Sequence, residues 1–136
     1  MARFRLLSNA MITPGTRATT LRLLFWAGII ALAVVSVIPR EYLMPPGFNT
    51  WDKLQHVLAY SILSVLGGLA YPGKKYLAAI FFGLVILGSG LELIQSIVPN
   101  REASFWDGVA NTIGAGTGIF IALFFFRVKN KSPKCM

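Results

Sequence analysis

The sequence predicts an all-α fold, a four-helix transmembrane bundle with short loops. Three observations support this prediction: an excess of apolar residues, four apolar runs of helical length, and turn-forming residues between the runs. Hydrophobic residues make up 55% of the 136 residues and charged residues 13%, and the mean hydropathy is +0.65. A soluble domain carries roughly 25% charged residues. The surplus of apolar side chains must therefore face lipid.

Four apolar stretches have the length that a membrane crossing requires. They lie at about residues 21–38, 54–71, 76–98 and 105–126. At ~1.5 Å rise per residue each would span roughly 27–35 Å, which covers the ~30 Å hydrocarbon core. The chain then divides into an N-terminal cytoplasmic tail (1–20), a four-span membrane domain (21–126) and a basic C-terminal cytoplasmic tail (127–136).

Helix-breaking residues separate these stretches. Pro39 follows the first stretch, Pro72-Gly73 the second and Pro99-Asn100 the third. Such residues end helices, and short connections make consecutive helices antiparallel neighbours. The first stretch is longer than the apolar core of a signal peptide and lacks a small-x-small cleavage site. We therefore expect it to be retained as a helix.

Basic residues are distributed unequally between the two ends of the predicted bundle. Both tails and the turn at Lys74-Lys75 are basic, whereas the other two connections hold only Arg40, Lys53 and Arg101. The positive-inside rule then predicts a multi-pass protein of the cytoplasmic membrane with both termini in the cytoplasm. The formal charge is +8, but the basic residues adjoin long apolar runs rather than a solvated polar face. This placement argues against binding to nucleic acid.

The fourth stretch carries small residues at a spacing of four, Ala110, Gly114, Gly118 and Ala122. Such a stripe lets another helix backbone approach closely, and packing of this kind holds membrane helices together. The partner can be the second helix, the third helix, a second copy of the chain or a larger membrane complex. The sequence leaves these alternatives open.

Nine polar residues are expected at the outer face of this topology, and we call them the polar cluster. Spacings of three and four place those of each helix on one helical face, and three helices direct them into one layer. The members are Asp52, Lys53, His56, Tyr60, Glu92, Gln95, Arg101, Asp107 and Asn111. We predict that they form a ligand-binding site.

Most members of the polar cluster have a structural alternative. Asp107 lies three residues after Ser104, as in a capping box, and Asp52 sits in a first turn, where a carboxylate suits the helix dipole. The remaining polar side chains can bond across helices or extend to the membrane interface. Because His56 is the only histidine and no His-Glu-x-x-His motif occurs, we predict no metal and no cofactor.

Glu92 is the member that structural roles explain least well. It lies about six residues inside the end of the third apolar stretch, roughly 9 Å below the outer boundary at ~1.5 Å per residue. A carboxylate within a span costs about 2.5–3.5 kcal/mol on insertion scales. We therefore expect Glu92 to be protonated or paired with Arg101 or His56. Ionisable groups at such depth are functional candidates.

The ordered set of polar residues resembles the VanZ-like family of small bacterial membrane proteins. The resemblance covers about half of the chain, from about Trp51 to Ile121, and rests on the series Asp52-Lys53-x-x-His56-x-x-x-Tyr60, Glu92-x-x-Gln95 and Pro99-Asn100-Arg101-x-x-Ser104-x-x-Asp107-x-x-x-Asn111-x-x-Gly114. It implies a protein of the bacterial inner membrane, related to one that gives low-level teicoplanin resistance. It implies no established reaction.

Three functions follow as hypotheses. The first is binding of an envelope-lipid head group, a cell-wall precursor lipid or a glycopeptide, with Arg101 and Lys53 on phosphate or carboxylate. The second is a structural accessory subunit that packs against a larger membrane complex. The third is an enzyme acting on a lipid-linked substrate, in which His56 and the carboxylates of Asp52, Glu92 and Asp107 bind a metal or act as acid and base. The third has the least support, because no nucleophile is evidently paired with His56.

Overall fold

The structure, a computed structural model, describes residues 14–39, 42–43, 52–98 and 104–131. This part of the chain forms four α-helices, α1 (Pro14–Val37), α2 (Asp52–Ala70), α3 (Lys74–Gln95) and α4 (Phe105–Lys131). No strand occurs among these residues. The prediction of an all-α fold is confirmed.

Three of the helices are long and apolar enough to cross a membrane: Gly15–Val37, Lys74–Gln95 and Phe105–Arg127. By their length and composition, these helices indicate a membrane protein. The helix α2 has 19 residues but is not one of the three. Its first turns carry Asp52, Lys53, Gln55 and His56, which shorten its apolar part. The fourth predicted span therefore stays a prediction.

The helix boundaries differ from the apolar runs at several ends. The helix α1 begins at Pro14, ahead of the first run, and proline suits a first helical position because it has no N–H to leave unbonded. The helix α3 ends at Gln95, before the predicted end at Val98. There the N–H of Ser96 donates to the carbonyl of Glu92 at 3.1 Å, and a turn follows. Glu92 thus lies within the last helical turn, roughly 4.5 Å from the helix end at ~1.5 Å per residue rather than the expected 9 Å.

The turn between α2 and α3 requires a glycine. Gly73 precedes α3 with φ +142° and ψ 140°, a conformation that is essentially restricted to glycine. The carbonyl of Gly73 accepts from the N–H of Tyr76 at 3.0 Å and from that of Leu77 at 3.1 Å. The turn therefore closes without a side-chain cap, and it reverses the chain direction within three residues of the α2 end.

Interhelical bonds at both ends establish how the helices run. Near the start of α1, Trp26 Nε1 donates to the hydroxyl of Tyr71, just after α2, at 3.1 Å. At the opposite end, Gln95 Nε2 donates to the carbonyl of Ser36 at 3.2 Å. The end of α1 therefore lies beside the end of α3, and the start of α1 beside the end of α2. The expected alternation of directions holds for these elements.

The small-residue stripe of α4 packs against α2, which makes the most extensive helix contact in the fold. A Cβ added to Gly114 would collide with the carbonyl oxygen of Val57, and one added to Gly118 would collide with that of Ser61. Ser61 Oγ donates to the carbonyl of Gly114 at 2.9 Å. The neighbour that the sequence left open is therefore α2, and the stripe packs internally.

Candidate functional site

The structure brings together polar residues from three helices at the end of the bundle where α2 and α4 begin and α3 ends. His56 Nδ1 and Asn111 Oδ1 lie 2.9 Å apart, at hydrogen-bond distance. His56 Nδ1 also lies 3.9 Å from Glu92 Oε1. These contacts join α2 to α4 and α2 to α3 through a single imidazole. The helical spacings thus predicted that His56, Glu92 and Asn111 converge, and the structure places them in contact.

Most of the converging side chains are buried. Tyr60 and Asn111 each expose 2% of their surface, Asp107 exposes 6% and Glu92 exposes 9%, whereas the His56 side chain exposes 18%. Buried carboxylates are expensive to leave charged unless they are paired and hydrogen-bonded. The buried carboxylates of Glu92 and Asp107 can therefore carry charge only when neighbouring groups pair with them or bond them.

Glu92 contributes to the start of α4 in a way that the sequence did not indicate. The backbone N–H of Ser104 donates to Glu92 Oε2 at 3.3 Å. In a capping box that N–H bonds the side chain three residues ahead, which here would be Asp107. Glu92 of α3 takes this place across the helix boundary. Glu92 therefore has a structural function in addition to its position beside His56.

Gly88 is a site residue that sequence reasoning missed. A Cβ added there would lie 2.9 Å from both Tyr60 Oη and Asn111 Nδ2. The absent side chain therefore gives these two polar groups the room they occupy against α3. The available signal was its spacing of four from Glu92, which places both residues on one face of α3.

Other members of the polar cluster lie elsewhere or outside the described residues. Gln95 is 4% exposed and donates to the carbonyl of Ser36 at the end of α1, so this bond ties α3 to α1 rather than to His56. Lys53 is exposed. Arg101, the predicted partner of Glu92, lies outside the described residues, and Asp52 is described only through its backbone in α2.

Three of the converging residues offer the atom types that bind metal ions. One donor atom each from His56, Glu92 and Asp107 lies within 4.8 Å of the other two. We call these three residues the triad. The residue types of all three allow metal binding, as the enzymatic hypothesis states, although no metal motif connects them in the sequence.

An open cleft of about 660 Å³ adjoins the triad between α3 and α4. Its walls are mostly apolar, and Leu93, Phe105 and Ile113 are among its exposed apolar side chains. Glu92 lines the same cleft. The hydroxyl of Thr112, also on its wall, donates to the carbonyl of Gly108 at 2.9 Å within α4. The cleft therefore presents an apolar surface that leads to one buried carboxylate.

A second groove, of about 510 Å³, lies at the other end of the bundle and is lined by residues of α1, α3 and the turn after α2. Aromatic side chains form much of its wall, including Trp26 and Tyr71. The Arg22 guanidinium lies 5.2 Å from the centre of the Tyr71 ring, and Lys75 Nζ lies 4.9 Å from that of Tyr76. Cations at such distances are attracted to the faces of aromatic rings.

Comparisons of the chain with protein-family models, with curated proteins and with solved structures found no match. The chemistry of the site must therefore be argued from its own residues. The triad and Asn111 offer carboxylate oxygens, an imidazole and an amide. Such a set can accept hydrogen bonds from hydroxyl or ammonium groups and can bind a cation.

Proposed function

We propose that this chain is a four-span, VanZ-like protein of a bacterial cytoplasmic membrane that binds the head group of an envelope lipid at the triad. Both termini lie in the cytoplasm, and the triad end faces outward. The helix α2 is the fourth span in this proposal. Its partly polar face packs against α3 and α4, so it needs less apolar surface than a helix surrounded by lipid.

The observation that carries the proposal is the position of Glu92. This residue lies 3.9 Å from His56 on one side and forms part of the wall of the 660 Å³ cleft on the other. An amphiphile needs a polar site and an apolar groove that are continuous with each other. Glu92 connects the two, so a lipid chain can occupy the cleft while its head group contacts the triad.

The hydrogen-bonding groups of the triad indicate which lipid head groups it can bind. Ionised carboxylates only accept hydrogen bonds, so the triad favours hydroxyl or ammonium groups such as those of sugars and amines. The phosphate of a lipid needs cations instead. Exposed Lys53 and Arg101 are the basic residues that we assign to it. A cell-wall precursor lipid and a glycopeptide both combine sugar or amine groups with an apolar part.

Native mass spectrometry of the full chain in mild detergent tests the proposal. We expect a bound amphiphile on the wild type and its loss from Glu92→Gln. The matched control is Thr117→Val, because the hydroxyl of Thr117 bonds the carbonyl of Ile113 within α4 at 2.8 Å on an exposed face. Equal retention by all three proteins would contradict the proposal. A single protein partner at fixed ratio, without a lipid, would favour an accessory subunit.

A pair of glycine variants tests the cleft separately from the carboxylate. Gly108 lines the cleft and Gly83 lines the second groove, and a Cβ at either position meets nothing within 4 Å. We expect Gly108→Leu to fill the cleft and release the amphiphile, and Gly83→Leu to retain it. Retention by both variants would exclude the cleft as the lipid site.

The single cysteine provides a test of orientation. Cys135 lies in the C-terminal tail, so a membrane-impermeant maleimide should label it only after the cells are permeabilised. In a Cys135→Ser background, Ser96→Cys at the exposed end of α3 should be labelled from outside. Labelling of Cys135 in intact cells would reverse the proposed topology.

A further inference from the structure

The triad combines donors from three separate helices at a spacing that a metal ion can bridge. His56 comes from α2, Glu92 from α3 and Asp107 from α4, and one donor atom of each lies within 4.8 Å of the others. Donors of a zinc ion at ~2.0–2.2 Å stand roughly 3.4 Å apart when the geometry is tetrahedral. His56 Nδ1 and Glu92 Oε1 are 3.9 Å apart. Closing the set therefore requires side-chain adjustments of about an ångström.

A hydrogen bond beside the triad orients Glu92 as ligating carboxylates are oriented in metal sites. Glu92 Oε2 accepts from the N–H of Ser104 at 3.3 Å, which leaves Oε1 directed at His56. Asn111 Oδ1 lies 2.9 Å from His56 Nδ1, so Nδ1 exchanges this hydrogen bond for the ion when it becomes a ligand. The contact from Ser104 is of the kind that holds a ligating carboxylate in place around a metal.

The charges of the triad also suit a divalent cation. Glu92 and Asp107 expose 9% and 6% of their surfaces, and together they carry two negative charges when ionised. A divalent ion neutralises both, and a bound cation is often the largest charge in such a site. One imidazole with two carboxylates is a donor set of the zinc and manganese type, whereas magnesium and calcium prefer oxygen ligands alone.

From these observations we propose that His56, Glu92 and Asp107 form a binding site for a first-row transition-metal dication, with Zn²⁺ as its best-fitting ion. Three protein ligands leave a fourth coordination position open, as in catalytic zinc sites. Because Glu92 also lines the cleft, an ion or an oxygen ligand can approach from that side. This metal site does not depend on the lipid-binding proposal, since Zn²⁺ alone is the ligand.

Zinc titration of the purified full chain, after removal of metal with a chelator, tests the site. We expect one Zn²⁺ per chain and weaker binding of Mg²⁺. Loss of an outer contact alone lowers metal affinity by about 10–100-fold, so Glu92→Gln and Asp107→Asn should each lower it by at least about 100-fold. The control Thr117→Val should bind as the wild type does. Binding below one ion in five chains, or equal binding by all variants, would overturn the proposal.

Two further measurements keep the test decisive if a variant fails to fold. The wild type alone should show a higher Tm with Zn²⁺ than after chelation, because a ligand that binds only the folded state stabilises it. X-ray absorption of the zinc-loaded wild type should show nitrogen and oxygen ligands at ~2.0–2.2 Å. A sulfur shell at ~2.3 Å would place the ion on Cys135 and refute the assignment.

The same preparations separate failure of the metal site from failure of lipid binding. If chelated protein keeps its amphiphile and binds no Zn²⁺, the metal proposal is wrong and the lipid proposal stands. If the protein binds Zn²⁺ at the triad but carries no amphiphile, the metal site stands without the lipid.

Discussion

Substitution of Gly114 by alanine should destabilise the protein, because the added Cβ would clash with α2 at the α2–α4 interface. A Cβ at this position would collide with the carbonyl oxygen of Val57 and would lie 3.0 Å from the Cβ of Tyr60. Backbone atoms cannot move aside as the end of a flexible side chain can. The two helices must therefore separate, and with them the hydrogen bond from Ser61 Oγ to the carbonyl of Gly114, now 2.9 Å long.

The size of the effect follows from the added methyl group and from the weakened bond. Overpacking of a well-packed interface costs about 1–3 kcal/mol, and the bond between Ser61 and Gly114 contributes about 1 kcal/mol. Alanine gains up to about 1 kcal/mol over glycine from its helical propensity. We expect a net loss of about 2 kcal/mol in the free energy of unfolding. For a chain of this size that corresponds to a Tm lower by roughly 8 °C.

The matched control is Gly83→Ala in α3, where an added Cβ meets nothing within 4 Å. Its Tm should equal or exceed that of the wild type, because only helical propensity changes. Thermal unfolding of both variants in the same detergent, followed by circular dichroism, makes the comparison. If Gly114→Ala is as stable as Gly83→Ala, α2 does not pack on the small-residue stripe, and the internal assignment of that stripe is wrong.

Three further predictions concern stability and use the same thermal assay. Ser64 is fully buried and its Oγ has no hydrogen-bond partner among the described residues, so Ser64→Ala should leave the free energy of unfolding unchanged or raise it by up to about 1 kcal/mol. A clear fall in Tm would reveal a bond to this hydroxyl. Gln95→Ala removes the bond to Ser36 and should cost about 0.5–1.5 kcal/mol, whereas no change in Tm would show that this bond does not hold α1 to α3. Gly73→Ala, at φ +142°, should cost about 1–3 kcal/mol, and an unchanged Tm would contradict the strained turn.

Much of the fold could be predicted from the sequence, because helices and their ends depend on residues that are close together in the chain. Each apolar run is continuous in the chain, and Pro72-Gly73 ends α2 through properties of those two residues alone. The run that begins at Phe105 coincides with the start of α4. The end of α3 was placed too late, because Val98 is apolar and hydropathy does not register the turn that begins at Ser96.

The candidate site could be predicted from the sequence only in part. Periodicity placed His56, Glu92 and Asn111 in one layer, and the structure brings these three residues into contact there. Periodicity did not indicate that Gln95 bonds the carbonyl of Ser36 instead, because the rotation of one helix relative to another is not encoded in spacing along either helix. Periodicity likewise did not indicate that the N–H of Ser104, which a capping box would direct to Asp107, donates to Glu92 of another helix.

The sequence by itself predicted an all-α fold with helices able to cross a membrane, and it indicated which polar residues lie at one end of that fold. Because lipid requires each span to be long and apolar on its own, these properties can be recognised in consecutive residues of the sequence. Only the tertiary structure decided that α2 occupies the glycine stripe of α4 and that His56, Glu92 and Asp107 lie within 4.8 Å of one another. The physical reason is that close packing depends on how three helices rotate and approach, and that choice is made by contacts between residues far apart in the chain.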